Sequence, residues 1–464
     1  MAAAAQFPDF VRILEKEIVN PASSPAPTKQ TKRPRLLFVG TDINQPTGYA
    51  RVTHSLLTQL AAAGNVDRSR AELDPLCATG MPVADITHFA IQTQKQTSQA
   101  GRTLPPSIKR IDADELEAPR VRPQTGFAFR ELPAQILKER PDVVLIYNDL
   151  AVITAYIEEI RRQAIKRTFQ LWAYVDQVYP FQPPPYVDTL NRDCDRVFTF
   201  SPAWRTSLRE QGLTRPCDVI SHGFDPAAFH QIPKEIARQS AGIPKEAFVF
   251  LSLNKNQPRK RLDILIMAFV ELIVKYPTRP IFLMCICDKG DYGGYPLFDI
   301  YARELTLRGA PVDHFSSRLM ITSEYKCHTD SDVNIFYNLA DVGVSTADGE
   351  GFGLCTFEGL GLGVPQIVPD LIGYRDYCSE ENALLVKPAS RYYLPGVYSP
   401  VGGEAQAVDP AAVAAAMEKY YSEADLRAVH GERGAATVKK YTWERAAAGL
   451  IKRLREVADA DADN

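Results

Sequence analysis

The hydrophobic positions of the chain fall into two repeating patterns. Short apolar runs predict buried β-strands, and the longer segments between them carry apolar residues every three or four positions, which predicts amphipathic helices. In the first half the predicted strands are 35–40, 142–148, 169–175 and 196–201, and the predicted helices are 51–64, 151–167 and 203–212. Strands that alternate with helices indicate a parallel sheet covered on both faces.

The same alternation restarts after a polar segment at 230–244, HQIPKEIARQSAGIP. The predicted strands there are 248–253, 280–287, 341–346 and 364–369, and the predicted helices are 261–276, 330–340 and 354–362. The predicted fold class is therefore α/β, with two Rossmann-like doubly wound domains facing a cleft. Ligands of such folds bind beyond the carboxyl ends of the strands.

Segments outside this alternation complete the predicted organisation. Residues 7–19, FPDFVRILEKEIV, predict an N-terminal helical extension with one apolar face. Its polar face mixes both charges, which favours docking on the protein itself over a membrane surface or a partner helix. Residues 80–125 predict an insertion or a mobile loop. The predicted units are 1–34 (helix and Pro-rich linker), 35–230 (first domain), 231–440 (second domain) and 441–464 (C-terminal helix and acidic tail).

Composition narrows the functional classes. The 464 residues carry a formal net charge of −3, without the basic excess typical of a nucleic-acid binder. The eight cysteines form no CxxC pair, which favours a reducing compartment over a disulfide framework. No apolar run approaches the roughly 18 residues that span a bilayer, and the N-terminus lacks a basic signal-peptide region. We therefore expect a cytoplasmic protein, with peripheral membrane contact left open.

The segment GEGFGLCTFEGLGLGVPQIVP at 349–369 combines two glutamates with a glycine-rich loop. A helix is expected to begin near Gly353, and its free N–H groups and positive dipole suit a phosphate or pyrophosphate. Glu358 lies roughly 7–8 Å further along this helix, where it can accept hydrogen bonds from ribose hydroxyls. Glu350 precedes the helix and would repel a phosphate, so the hydroxyls of a sugar are its more natural partners.

Two acids beside a phosphate require cations nearby. The segment SLNKNQPRKRLDILIMAF at 252–269 carries four of them in a loop between a strand and an apolar helix: Lys255, Arg259, Lys260 and Arg261. Such a loop is either a solubilising surface or a clamp on a diphosphate. Its position in the same half as the glycine-rich loop favours the clamp.

The stretch EGFGLCTFEGLGLGVPQIV resembles the E-x7-E motif of retaining glycosyltransferases of family four, the group 1 transferases of the GT-B fold. Further segments are similar to that family in the same order, between about residues 35 and 455. They are DINQPTGYARVTHSLLTQL, FTFSPAWRTSLREQGL, VISHGFDPAAF, NKNQPRKRLDILIMAF, FYNLADVGVSTADGEGFGL and YTWERAAAGLIKRL.

The resemblance implies a nucleotide-diphospho-sugar donor, UDP- or GDP-linked, bound mainly by the second domain, and an acceptor bound mainly by the first. It also implies that no metal or separate cofactor takes part and that the C-terminal helix packs back on the first domain. The residues it assigns are Glu358 to the ribose; Glu350 with the backbone of Gly351, Phe352, Gly353 and Leu354 to the transferred sugar; Lys260, Arg259, Lys255 and Gly48 to the diphosphate; and Ile321, Thr322 and Ser323 to the base.

Two positions depart from the family pattern. Lys255 stands where an arginine is usual, and a lysine point charge does not replace the arginine fork. Many members carry a histidine after a first-domain strand, whereas LWAYVDQVYPF has Val175 and Asp176 there. Asp176 is the predicted replacement, binding a hydroxyl or the acceptor proton. His222 is an alternative, either reaching the cleft or bonded to backbone within its loop.

The favoured function is a retaining, metal-independent hexosyltransferase with a hydroxyl acceptor on a glycan, lipid or protein, and with Glu350, Lys260 and Asp176 at the reacting sugar. The alternatives are a non-catalytic sugar-nucleotide-binding or scaffolding protein, and an epimerase or phosphorylase of the same architecture. A DAD triplet at 112–114 is a weak metal-site candidate because it lies in the irregular stretch.

Overall fold

Two parallel sheets form the cores of two α/β domains, as predicted. The computed structural model describes residues 33–62, 82–93, 100–117, 125–287, 293–322, 328–395 and 401–462. The predicted N-terminal helix at 7–19 and most of the linker lie outside these residues.

The first domain is built on a seven-stranded sheet. Its strands are β1 (Arg35–Thr41), β2 (Asp85–Ile91), β3 (Lys109–Asp112), β4 (Val143–Asp149), β5 (Gln170–Asp176), β6 (Arg196–Thr199) and β7 (Cys217–Val219). Their order is β3-β2-β1-β4-β5-β6-β7. Its helices are α1 (Gly48–Ala62), α2 (Ala113–Leu116), α3 (Leu132–Glu139), α4 (Leu150–Arg162), α5 (Pro184–Asp193) and α6 (Pro202–Glu210). Helices on both faces bury the strands, which explains their continuous apolar runs.

The second domain repeats this design with six parallel strands. They are β8 (Phe248–Leu253), β9 (Ile281–Ile286), β10 (Leu319–Ile321), β11 (Val342–Val344), β12 (Gln366–Pro369) and β13 (Ala383–Val386), ordered β10-β9-β8-β11-β12-β13. Its helices are α7 (Lys234–Ser240), α8 (Leu262–Lys275), α9 (Leu297–Leu307), α10 (Val312–Phe315), α11 (Asp330–Leu339), α12 (Leu354–Gly361), α13 (Pro410–Ser422) and α14 (Ala424–Val438). An antiparallel hairpin, β14 (Pro388–Leu394) and β15 (Gly403–Val408), follows β13.

The C-terminal helix α15 (Trp443–Ala462) packs on the first domain. Its Leu450 and Leu454 share a buried core with Leu56 and Leu57 of α1. The chain thus crosses between the domains twice, and the two crossings touch. The Phe224 N–H donates to the Tyr441 carbonyl at 2.9 Å.

The prediction of an insertion at 80–125 is wrong where β2 and β3 form. Strand β2 lies between β1 and β3, although its sequence, DITHFAI, mixes polar and apolar residues without a regular pattern. Its His88 is fully buried, with Nε2 3.2 Å from the Gly40 carbonyl oxygen. The polar residues Thr87 and His88 interrupt the apolar run that would otherwise predict this strand.

Candidate functional site

The predicted site residues follow the two strands at which the second sheet reverses its order. Strand β8 leads to the loop of Arg259 and Lys260, and β11 leads to the loop of Glu350. Because β8 and β11 are neighbours in the sheet, both loops leave the same edge. A doubly wound sheet opens a crevice at such a point.

Lys260, Arg259 and Glu350 form a buried charge cluster in that crevice. Lys260 is 8% exposed, and its Nζ donates to Glu350 Oε2. Arg259 donates to the same oxygen at 3.4 Å and to the Gly349 carbonyl at 3.2 Å. Burial would raise the pKa of Glu350, but the two cations outweigh it and lower that pKa. Burial and Arg259 together lower the pKa of Lys260. Two cations thus face one carboxylate, which leaves surplus positive charge for an anion.

The glycine-rich loop is shaped by the protein around it. A Cβ on Gly351 would lie 2.7 Å from Asp176 Oδ1, and one on Gly353 would lie 2.5 Å from the Tyr374 ring. Gly353 also has a φ of +74°, which favours glycine, and it immediately precedes α12. At Gly351 and Gly353 the missing side chain thus makes room for Asp176 and Tyr374.

The N-terminus of α1 faces the N-terminus of α12 across the cleft. A Cβ on Gly48, the first residue of α1, would lie 3.0 Å from Leu354 Cδ1. Both helix starts carry positive partial charge, and at α1 the Ala50 N–H donates to Thr47 Oγ1 at 3.2 Å. Gly48 was predicted beside the diphosphate and the Leu354 backbone beside the transferred sugar, and the structure brings these two residues into contact range.

Glu358 joins an ion network that links the two domains. Its Oε1 accepts a hydrogen bond from Arg51 of α1, and its Oε2 accepts one from Tyr337 at 2.8 Å. Arg51 also donates to Asp330 Oδ1 at 2.9 Å, and Arg102 donates to both oxygens of Asp330. Burial raises the pKa of Glu358 in spite of Arg51. Burial also acts to raise the pKa of Asp330, but the two arginines outweigh it and lower that pKa to about 2.

Asp176 and Asp149 end adjacent strands of the first sheet and occupy matching positions in the register. Tyr49 Oη donates to Asp149 Oδ1 at 2.7 Å. Burial, followed by the charge of Asp149, raises the pKa of Asp176 well above its ordinary value. Burial raises the pKa of Asp149 as well. The first domain thus presents Asp176 to the glycine-rich loop with Asp149 beside it, and the pKa of both carboxyls is raised.

Replacing Asp176 with asparagine is expected to stabilise the protein more at pH 8 than at pH 5. The folded state holds the Asp176 proton more tightly than the unfolded chain. The resulting stability is complete below the unfolded pKa of about 4 and is lost as pH rises through the folded pKa. Each tenfold difference in proton affinity is worth about 1.4 kcal/mol. Urea unfolding at both pH values checks this, with exposed Asp188→Asn as the control. An equal effect of Asp176→Asn at both values would contradict it.

Three predicted residues have side-chain surroundings that the sequence does not indicate. Phe352 is buried among rings, 4.6 Å from the His222 centroid and 5.0 Å from that of Phe357, so its side chain serves packing. The Thr322 hydroxyl donates to the Cys287 carbonyl and accepts from the Cys287 N–H, both at 3.0 Å. Thr322 therefore links the residue after β10 to the residue after β9. Lys255 is exposed in the loop after β8.

His222 fits neither of its two predicted environments. It is buried among aromatic rings at the crossing between the domains, and neither ring nitrogen has a hydrogen-bond partner. Burial lowers its pKa to about 3. The interpretation of a loop histidine bonded to backbone is wrong.

Asp112 of the DAD triplet caps α2 by accepting from the Asp114 N–H at 3.0 Å.

The sequence analysis missed Arg51, Asp330, Asp149 and Tyr49. Asp149 carried the same signal as Asp176, a carboxylate at the carboxyl end of a buried strand. Asp330 begins a predicted helix, and Arg51 lies at the start of another. Neither position indicates a partner in the other domain, because the Arg51–Glu358 contact joins residues 307 positions apart.

Within the described ranges, no helix is long and apolar enough to cross a bilayer. The same residues contain no cluster of three or more His, Cys, Asp or Glu side chains arranged to hold a metal ion.

Two Rossmann-like domains with charged groups between them define the GT-B class of fold, and comparison with solved structures agrees. Sucrose-phosphate synthase from Thermosynechococcus elongatus superposes with a TM-score of 0.65 at 17% identity, covering 92% of this chain and all of that one. Anabaena Alr3699/HepE, solved in complex with UDP and glucose, gives a TM-score of 0.58 at 15% identity, covering 91% of this chain and all of that one.

Sequence comparison adds a similarity to one protein family over part of the chain. Residues 328–450 match the model described as "Family 4 Glycosyltransferase in conflict systems". D-inositol 3-phosphate glycosyltransferase 2 of Catenulispora acidiphila is 28% identical over 149 residues, which are 32% of this chain and 33% of that protein. The matches span about a third to a half of the length of the curated relatives. Together these findings show the GT-B fold and a similarity of residues 328–450 to glycosyltransferases of family four.

Proposed function

We propose that the protein is a retaining glycosyltransferase that moves a hexose from a nucleotide-diphospho-sugar to a hydroxyl acceptor. One observation carries this proposal. The buried cluster of Lys260, Arg259 and Glu350 stands at the order reversal of the second sheet, opposite the carboxyls of the first. Surplus positive charge suits a diphosphate, and a carboxylate that already accepts hydrogen bonds suits the hydroxyls of a sugar.

The donor binds in this proposal with its diphosphate between the two cations and the facing starts of α1 and α12. Its ribose reaches Glu358, and its sugar lies against Glu350 and the loop from Gly351 to Leu354. In the reaction the bond from the anomeric carbon to the phosphate oxygen breaks, and the acceptor oxygen bonds to that carbon from the same face. The departing phosphate oxygen takes the acceptor proton. The cations stabilise the charge that develops on the diphosphate.

The acceptor hydroxyl in this proposal lies against Asp176, supported by Asp149 and Tyr49. A protonated carboxyl can both donate to and accept from a hydroxyl, and the raised pKa of Asp176 favours that form. This would let Asp176 replace the family's histidine as a positioning group. Because the proton leaves with the diphosphate, no protein nucleophile is required, and we expect a chelator to leave turnover unchanged.

A panel of UDP- and GDP-linked hexoses tests the donor assignment. A donor at about 100 times its dissociation constant should stabilise the protein by about 2.7 kcal/mol, measured as a rise in Tm. UDP-glucose comes first, because Anabaena Alr3699/HepE was solved with it. Donor consumption is then followed with and without glycan, lipid and protein acceptors, and product analysis gives the anomeric configuration. An inverted product would contradict the retaining mechanism.

The same panel separates the alternatives. Donor consumption that depends on an acceptor supports the transferase. Stabilisation by a donor without any consumption would instead favour a non-catalytic sugar-nucleotide-binding protein. The absence of stabilisation by every nucleotide sugar would refute the donor site itself.

A further inference from the structure

Two exposed aromatic side chains from different domains meet at the rim of the cleft. Phe181, in the loop after β5, is 61% exposed, and Tyr393 of β14 is 57% exposed. Their ring centroids are 5.7 Å apart, with an interplanar angle of 66°. Large aromatic surface left in water at a domain junction is unusual unless something binds it.

Phe181 is held in a conformation that its residue type rarely adopts. Its φ is +58°, in the left-handed region where a bulky side chain is strained. Bonds to the hairpin fix the surrounding loop: the Gln182 amide donates to the Gly402 carbonyl at 2.6 Å, and the Glu404 N–H donates to the Pro180 carbonyl at 2.9 Å. Strain that neighbouring contacts maintain is typical of ligand clamps.

The aromatic pair is tied to the glycine-rich loop by a short chain of contacts. Tyr179 Oη donates to Asp348 Oδ1 at 2.8 Å, and Tyr392 donates to Oδ2 of the same residue. Asp348 lies two residues before Glu350. Tyr392 and Tyr393 point to opposite faces of β14, so the first holds the site loop while the second faces outward. A ligand bound in the cleft would therefore extend onto the pair of Phe181 and Tyr393.

We propose that Phe181 and Tyr393 form a stacking platform for a sugar ring of a saccharide acceptor, at a unit beyond the one that is glycosylated. A pyranose presents a face of C–H groups, which packs on aromatic rings, and a rim of hydroxyls. Polar groups border the rings: Tyr393 Oη donates to Glu404 Oε2 at 3.4 Å, and Arg391 lies 3.6 Å from the same oxygen. A lipid chain would require a continuous aliphatic surface, which this mixed surface does not offer.

This proposal rests on the proposed function and selects a glycan among its possible acceptors. Short soluble oligosaccharides are the probes, measured both as acceptors and, without donor, by direct binding. Phe181→Ala and Tyr393→Ala should each raise the acceptor KM about tenfold. The increase in Tm caused by the donor should stay unchanged. Tyr393→Phe keeps the ring and should keep the acceptor KM, and Phe298→Ala removes an exposed ring on α9 as the matched control.

An acceptor KM unaffected by both alanine variants would overturn the platform. So would variants that change binding to lipid vesicles or the oligomeric state while leaving oligosaccharide binding intact. Oligosaccharide binding that depends on both rings, in a protein without any transfer activity, would support the platform and refute the proposed function.

Discussion

Replacing Glu350 with glutamine is expected to lower sugar transfer by about 100- to 1,000-fold, the range found when one preorganised polar group is removed from an active site. Glutamine keeps the shape of the side chain but loses the charge that orients Lys260 and accepts the sugar hydroxyls. Initial rates at saturating donor and acceptor provide the measurement. A variant with near-normal turnover would refute the assignment of Glu350.

The same variant should also be less stable, and this effect has to be separated from the catalytic one. Lys260 would remain buried without its counter-charge, which costs about 3–5 kcal/mol for a buried pair. The double variant Glu350→Gln/Lys260→Met removes one of the two cations as well and should recover much of that stability, while transfer stays lost. Glu235→Gln/Lys245→Met, an exposed pair with atoms 2.7 Å apart, is the matched control and should change neither property.

Replacing Arg51 with methionine is expected to lower the free energy of unfolding by about 3–5 kcal/mol. Arg51 is the side chain through which α1 bonds to both Glu358 and Asp330. Methionine fills similar volume but leaves the buried Glu358 carboxylate with Tyr337 alone. Urea unfolding gives the measurement.

Arg162→Met is the control for this second prediction, because Arg162 forms an exposed ion pair with Glu159 on α4. That change should have no measurable effect on unfolding. A double-mutant cycle between Arg51 and Glu358 then isolates their coupling. An effect of Arg51→Met as small as that of Arg162→Met would contradict the prediction. Arg51 already bonds Glu358, whose carboxylate is predicted to bind the ribose. The cycle repeated with UDP present therefore also measures how far the nucleotide replaces the Arg51–Glu358 contact.

Much of the fold could be predicted because buried parallel strands leave a strong signal. Strand β8 was predicted at its observed bounds, and α8 begins and ends within one residue of its prediction. The failures occurred where the polar and apolar pattern is mixed. Strand β2 contains buried His88, and the hairpin strand β14, PASRYYL, is largely exposed. Tertiary contacts decide such strands, and a single sequence does not record them.

The residues of the candidate site show the same difference: those with a local sequence signal were predicted, and those that depend on tertiary contacts were not. Arg259, Lys260 and Glu350 were predicted together because each follows a strand of one sheet, and adjacent carboxyl ends bring such loops together. The residues that the sequence analysis missed act across the cleft. Neither the Arg51–Glu358 contact nor the packing of Asp176 on Gly351 has a local pattern, since each depends on how two separately folded sheets face one another.

The packing of α15 on α1 has a consequence for biosynthesis. Leu450 and Leu454 complete a core that begins near residue 36, so the first domain lacks part of its interior until residues 450–454 have left the ribosome. The core of the second domain around α8 contains no residue of α15, so its folding does not wait for that helix. Chains that end at residue 440 and have been released from the ribosome should therefore hold a protease-resistant second lobe beside a first lobe that is still digested.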